Sequence, residues 1–437
     1  MNKFFSLKRK KAKQKTEFDN HNNCSYCNKP FIEKLWCKEC DPRRIMEGWT
    51  SGNPDIDKFI NDTIYNARQN IDDIFLEWVP YNRFIDITQI GIDNESWKKS
   101  ESKSKKVALK RLKNSQDMSA EYLNGIKVHW NLYKLGRSQY IQLLDFYGMT
   151  KDPETEEFIM IVKFANKGNL RYFLDRNFKN LLWADKLSLL CDLLENIKNL
   201  HKLGFAHKDL HAGNILQNDY TTYVSDFDLS GPVNEQNSQH GEIYGVLPCI
   251  APEVLLGKPY SLSADIYSVG IIMTELSSGK PPFHEREYDI NLAVDICEGL
   301  RPKFEKGTPE IYCKLATRCL DADPDQRPTA EELYSVINFW YKSINDYYYK
   351  GYQEKEEFGY KGKEIKAIFK EADKEILNIS TLGKDEVLSS AYITHLQVKY
   401  TSGLIDEYLE SDRLITSYLK IINIYNYLFD VKKTKSH

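Results

Sequence analysis

The chain has 437 residues, a formal net charge of −3, and 41% hydrophobic against 28% charged residues. That length exceeds one ordinary hydrophobic core, so two or three folded units are expected. The near-neutral charge excludes a whole-molecule polyanion binder and leaves nucleic acid an unexpected partner; runs such as "SVGIIMTEL" and "IINIYNYLF" are too short or too polar to span a bilayer, so no membrane is expected either.

Residues 1–20 are polar and basic, with Lys8, Arg9, Lys10, Lys11, Lys13 and Lys15. They read as a solvated, disordered tail, with a nuclear-localisation segment as the sharper alternative. No apolar stretch suits a secretory signal, which points to a cytoplasmic or nuclear chain whose nine cysteines are thiols or metal ligands rather than disulfides. Residues 21–45 contain Cys24-x2-Cys27-x9-Cys37-x2-Cys40. Two such pairs can grip one Zn²⁺ tetrahedrally, and four thiolates close the shell, so the expected role is structural. The plainer alternative is four ordinary thiols, and His21 is near enough to replace one ligand.

Residues 46–80 read as a helical linker. Ile56, Phe59, Ile60, Ile64, Ala67, Ile71 and Phe75 recur at helical spacing, and Pro80 ends the pattern. From Tyr81 the period changes. Phe84–Ile90 alternates, Lys105–Leu112 is a second strand candidate, and Phe158–Phe164 reads as a buried strand before the turn "ANKGNL". Helices follow, led by a stripe of Trp183, Leu187, Leu190, Leu194, Ile197 and His201. Strands first and helices later predict an α+β, two-lobed domain over 81–340, with a small β-rich lobe at 81–163 and a larger helical lobe at 166–340. Residues 341–437 are rich in Tyr, Lys, Glu and Asn, with helices expected around Glu364–Leu377 and Arg413–Phe429 in a partly ordered tail.

The chemistry concentrates in "HKDLHAGN" and "VSDFD". Moving a phosphoryl group needs Mg²⁺ to neutralise its oxygens, and Mg²⁺ takes hard oxygen ligands such as an Asp carboxylate and an Asn carbonyl. Asp226 and Asn214 are those residues. A second carboxylate, Asp209, would accept the proton of an attacking hydroxyl. Lys110, on its strand, would reach the phosphates of ATP. Each residue alone reads as a surface charge; the set is specific.

In that order and over that length, the region resembles a eukaryotic protein-kinase domain. "VALK" carries Lys110, "HKDLHAGN" matches the catalytic loop, and "DFD" stands at the DFG position with Phe227 as the packing residue. "APE" is Ala251–Glu253, Asp265 would tie a buried helix to the catalytic loop, and Arg327 of "DPDQRPT" would pair with Glu253. The resemblance implies ATP and Mg²⁺ as cofactors and protein substrates or signalling partners. It also places Val162 at the back of the adenine pocket and gives the base to backbone groups of Phe164 and Ala165. A finer resemblance is to tyrosine-kinase-like kinases of a large fungal family, in which a CxxC…CxxC segment and a linker like Trp49–Asn53 and Glu77–Phe84 precede the domain. That group favours Ser/Thr specificity, although His211 and Val246 stand where Ser/Thr kinases usually carry a lysine and a threonine.

Three departures set a pseudokinase scaffold against the active enzyme. The glycine-rich phosphate loop is shortened between Gly91 and Trp97. Gly125 stands where the helix "SAEYLNGIKVHW" should supply a glutamate to Lys110, with Glu121 one turn earlier. Asp228 replaces the glycine of DFG, which gives backbone freedom; aspartate tolerates unusual dihedrals better than most residues, so this is the mildest of the three losses, and it could add a carboxylate near the metal. Lys208 is a candidate phosphate ligand or carbonyl cap, and Ser230, Ser238 and Tyr244 are candidate phosphate acceptors.

Overall fold

A computed structural model describes residues 27–29, 40, 49–67, 74–84, 106–112, 114–118, 120–138, 144–219, 221–233, 244–345, 348–382 and 403–404. The basic tail, Cys24, Cys37, most of the strand expected at 84–90, Gly91, Trp97, Ser238 and the helix expected at Arg413–Phe429 lie outside these residues. The chain divides into two compact units, Met1–Trp78 and Val79–His437.

The first unit is built on α1, Pro54–Asn66. Asn53 caps it, its side chain accepting from the N–H groups of Asp55 at 3.0 Å and Ile56 at 3.1 Å. Pro54 fits the first turn, and Asp55 and Asp57 face the positive end of the helix dipole. Ile56, Ile60 and Ile64 form its buried stripe. The spacing predicts a helix as far as Phe75, but the helix ends at Asn66. The reason is a turn back: Thr63 Oγ1 accepts from the Leu76 N–H at 3.0 Å. A continuous helix would carry residue 76 about 20 Å away.

In the second unit, β1 (Val107–Arg111), β2 (Phe146–Lys151) and β3 (Phe158–Lys163) form an antiparallel sheet with β3 between the others. Lys110 faces Met160 in register, and β3 is buried from Phe158 to Val162, as its unbroken apolar run predicts. Helix α2, Ala120–Ser138, connects β1 to β2. Then come α3 (Leu170–Asn177) and α4 (Trp183–Lys202), followed by the hairpin of β4 (Ile215–Gln217) and β5 (Thr222–Val224). Helices α5 (Pro252–Leu255), α6 (Leu262–Ser278), α7 (Ile290–Cys297), α8 (Glu310–Cys319) and α9 (Ala330–Ile344) complete the larger lobe. The architecture is mixed α+β, with a sheet-bearing lobe followed by a helical one.

The core of the helical lobe forms where the α4 stripe meets α6. Leu187, Leu190, Leu194 and Ile197 are fully buried, and α6 is buried on every side from Ala264 to Ser277. The core does not stop at residue 340. Helix α10, Gly362–Leu382, adds fully buried Ile365 and Phe369 to it. Phe369 packs 5.5 Å from Trp183 and 5.6 Å from Trp340, ring centroid to centroid, and Asp373 accepts from the Trp183 N–H at 2.8 Å. One buried ion pair closes the lower part of the lobe: Arg327 Nη1 and Nη2 donate to Glu253 Oε1 and Oε2, both at 2.7 Å. Its guanidinium also donates to the carbonyls of Ser263 and Asp321, each at 2.9 Å.

Phe369→Ala is expected to lower stability by about 3–5 kcal/mol in urea unfolding, because it opens a cavity between two tryptophans; a change within error would mean that α10 is not part of the domain core. Arg327→Ala is expected to cost about 3–5 kcal/mol in the same assay, since it strands Glu253 as a buried, unpaired carboxylate. Replacing both partners by Ala should cost less than the sum of the single losses.

Candidate active site

The loop carrying Asp209 is held from below by Asp265 of α6, which is 1% exposed. Its Oδ2 accepts from the His207 N–H at 2.7 Å and from His201 Nε2 at 2.9 Å, and its Oδ1 accepts from the Lys208 N–H at 3.0 Å. Burial alone would raise this carboxyl, but the bonds and the nearby imidazoles hold it below the usual carboxylate range. These bonds fasten a strained turn: Lys208 has φ +71°, a region that non-glycine residues rarely adopt. Asp209 comes next and is 6% exposed.

Asn214 is locked onto Asp209. Its Nδ2 donates to the Asp209 carbonyl at 2.9 Å and to Asp209 Oδ2 at 3.0 Å. The amide oxygen is therefore the end turned away from Asp209. The Asn214 carbonyl in turn accepts from both the backbone N–H and the Oγ of Ser225, each at 2.9 Å, which ties this loop to the one carrying Asp226. His211 lies beside Asp209, Nε2 to Oδ1 at 3.6 Å, while its Nδ1 accepts from the Gly213 N–H at 3.0 Å. That bond puts the proton of a neutral ring on Nε2, toward Asp209. Gly245 approaches from the other side. A Cβ there would lie 3.4 Å from Asp209 Oδ1, and its φ of +135° disfavours any side chain.

Lys110 reaches across from β1 to two carboxylates. Its Nζ lies 2.9 Å from Asp226 Oδ1, 3.0 Å from Asp228 Oδ1 and 2.9 Å from Asp228 Oδ2. Burial and the two acidic neighbours act in opposite directions on the amine, and the acidic pair prevails, raising Lys110 above the ordinary lysine range. Against burial, the Lys110 charge holds Asp226 low, whereas burial pushes Asp228 up. Asp226 sits in the left-handed region at φ +67°. Asp228 is outside that region, so its position does not demand the glycine freedom that the motif suggests.

Gly125 of α2 lies so close to this turn that a side chain would crowd it. A Cβ would sit 3.1 Å from Asp228 Cα and 3.1 Å from the Phe227 carbonyl oxygen, both backbone atoms. The Glu121 side chain lies outside the described residues. Below α2, aromatic rings form a continuous column. His129 lies 5.2 Å from Phe146 and 5.4 Å from Phe227, and Phe227 lies 5.2 Å from His207, ring to ring. His129 Nε2 donates to the Leu144 carbonyl at 3.3 Å. Burial, aided by the Lys110 charge, pushes its pKa down to about 4, so the ring is neutral. Nothing in the sequence singled out His129; only its place on α2, one turn after Gly125, hinted at it.

Val162 is 5% exposed and pairs with Ala108 across the sheet. Phe164 and Ala165 follow β3 half-buried, the Ala165 carbonyl accepting from the Gly168 N–H at 3.2 Å. Ser230 is buried and donates to the His207 carbonyl at 3.2 Å, so it is a structural hydroxyl rather than an accessible acceptor. The Lys208 amine lies over Gly231, 3.0 Å from where a Cβ would stand. Tyr244 and Gly245 pair antiparallel with Leu404 and Gly403. Cys27 and Cys40 are half-buried, while their expected co-ligands lie outside the described residues.

Residues 89–337 match the family described as "Protein tyrosine and serine/threonine kinase". Among curated proteins, a probable serine/threonine-protein kinase of Dictyostelium discoideum is 26% identical over 259 residues, which is 56% of this chain and 14% of the relative. The serine/threonine-protein kinase STY17 of Arabidopsis thaliana is 27% identical over 246 residues, 56% of this chain and 42% of the relative. A putative serine/threonine-protein kinase/receptor of Acanthamoeba polyphaga mimivirus is 32% identical over 178 residues, 40% of this chain and 11% of the relative. The matched region thus spans less than half the length of each of these relatives. The family match covers more than half of the chain in a single run that includes every residue of the site, and the chain belongs to the protein tyrosine and serine/threonine kinase family.

Proposed function

We propose that the chain is an ATP-dependent protein kinase, Ser/Thr-directed, that phosphorylates protein hydroxyls in signalling. The observation that carries this reading is the convergence of four residues: Lys110 on Asp226 at 2.9 Å, and Asn214 on Asp209 at 3.0 Å, with the two loops joined through Ser225. Asp226 and Asn214 offer the hard oxygens that Mg²⁺ prefers, and a depressed Asp226 carboxyl stays ionised to serve it. ATP supplies the phosphoryl group, and Mg²⁺ neutralises its oxygens. In the cleft so formed, Lys110 carries the positive charge for the phosphates. Asp209 accepts the proton of the substrate hydroxyl, its orientation set by Asn214 and His211. Val162 walls the adenine site, and backbone groups at Phe164 and Ala165 hydrogen-bond the base. The names of the relatives support Ser/Thr specificity.

Two finer readings go with it. The chain falls in the tyrosine-kinase-like group, on the strength of the linker Trp49–Asn53 and Glu77–Phe84. Cys24, Cys27, Cys37 and Cys40 hold a structural zinc, on the strength of their paired spacing. Among the described residues no helix is long and apolar enough to cross a membrane.

Mg²⁺ and ATP together are expected to raise the melting temperature of the wild type, since a ligand at 100 times its Kd adds about 2.7 kcal/mol. Lys110→Met and Asp226→Asn should each lose that shift. Asp209→Asn should keep it and lower kcat by about 10²–10⁴-fold. A wild type that shows neither shift nor transfer would sink the enzyme reading in favour of a scaffold. Treating the chain with a thiol reagent and a chromophoric chelator should release about one Zn²⁺ per chain, and a Cys24→Ser/Cys27→Ser chain should release none; an equal absence from the wild type would end the zinc reading.

A further inference from the structure

Two departures from the family pattern meet in space. Gly125 removes the carboxylate that α2 would offer to Lys110, and Asp228 on the opposite loop offers one of its own. We infer that Asp228 is the positioning residue that replaces the missing helix glutamate, so that Gly125 and Asp228 form a compensating pair holding Lys110 in the cleft. This rests on the kinase reading above.

The geometry favours Asp228 over Asp226 as the lasting partner. Both Asp228 oxygens lie on the amine, at 3.0 and 2.9 Å, whereas Asp226 contributes one at 2.9 Å. Asp226 is also the cation ligand, and in that role it must turn part of its charge to Mg²⁺. A lysine held by Asp226 alone would lose its anchor at the moment of nucleotide binding. Asp228 keeps that anchor in place. The pair is partly shielded, with side chains 27% and 32% exposed, so it is worth more than a surface ion pair.

Space makes the two residues mutually dependent. The backbone of Phe227 and Asp228 stands against the position where a Gly125 side chain would begin, 3.1 Å from its Cβ, a tight contact. With α2 seated here, a side chain at 125 fits only if the helix or the turn gives by a few tenths of an ångström, and as it stands the amine finds its carboxylate on Asp228. The glycine itself costs the helix roughly 1 kcal/mol relative to alanine, and the close seating of α2 on the turn is what that cost permits. Because Asp228 lies outside the left-handed region, an aspartate takes the glycine position of the motif without backbone strain.

The test uses the full chain and two readouts. The first is a double-mutant cycle by urea unfolding without nucleotide, on Lys110→Met, Asp228→Asn and the double variant. The expected coupling is at least about fivefold in the unfolding constant; additive effects would overturn the inference whether or not the chain is an active kinase. The second is steady-state kinetics with Mg-ATP and myelin basic protein. Asp228→Gly restores the common motif yet is expected to lower kcat/KM for ATP by about 10–100-fold, with KM for the protein substrate within about twofold of wild type. Gly125→Glu added to Asp228→Gly is expected to recover at least about fivefold of that loss. An Asp228→Gly enzyme as active as wild type, or a folded double variant no better than the single, would overturn the pairing. If the double variant fails to fold, the cycle and the single variants decide. A wild type that transfers nothing would count against the kinase reading, while the unfolding cycle still decides the pairing.

Discussion

A single ammonium group between two carboxylates joins the lobes of this domain at its working point. Lys110 comes from the sheet, Asp226 and Asp228 from the loop below, and α2 rests its Gly125 backbone on the turn between them. Two aspartates this close repel each other strongly in a partly dry cleft. The lysine makes their proximity tolerable, and they in turn keep the lysine charged. Removing the lysine would leave two carboxylates facing each other, whereas removing Asp228 would leave the amine on a single oxygen of Asp226.

The rest of the site is arranged to keep that junction still. Asp265 gathers two backbone N–H groups and His201 onto one buried carboxylate and so fixes the strained turn that presents Asp209. His207 spans from that turn to the Ser225 carbonyl at 3.1 Å, next to the loop of Asp226. The column of Phe146, His129, Phe227 and His207 then connects sheet, helix and both loops through ring contacts. Polar fixation from below and aromatic packing from above reach the same few residues, and so a small displacement of α2 would be felt at Lys110.

Much of this was legible in the chain. The apolar run of β3 and the stripe of α4 announce their own burial, because periodicity reports the face an element turns to the core. Arg327 and Glu253 were paired by motif alone, and a bidentate contact at 2.7 Å is found. What stayed hidden depends on the third dimension. The end of α1 is set by a bond from Thr63 to a residue thirteen positions on, which no local pattern encodes. The burial of Phe369 requires Trp183 and Trp340 to converge from distant parts of the chain. His129 reads as one more polar residue on a helix until the rings on either side are seen.

Asp228 illustrates the difficulty best. Taken along the sequence, it is a mild loss of a glycine with a carboxylate near the metal site, and Gly125 is a lost glutamate; the sequence does not connect the two. Placed in space, the losses cancel. The backbone at 228 never enters the region where glycine is needed, and the side chain it gains lands on the amine that the helix at 125 no longer serves. A motif records which residue usually fills a role. The physical requirement is a carboxylate within about 3 Å of the lysine, and the element that supplies it can come from either side of the cleft. Departures from a family pattern therefore bear on activity only after asking, for each missing group, whether another atom stands where its charge was required.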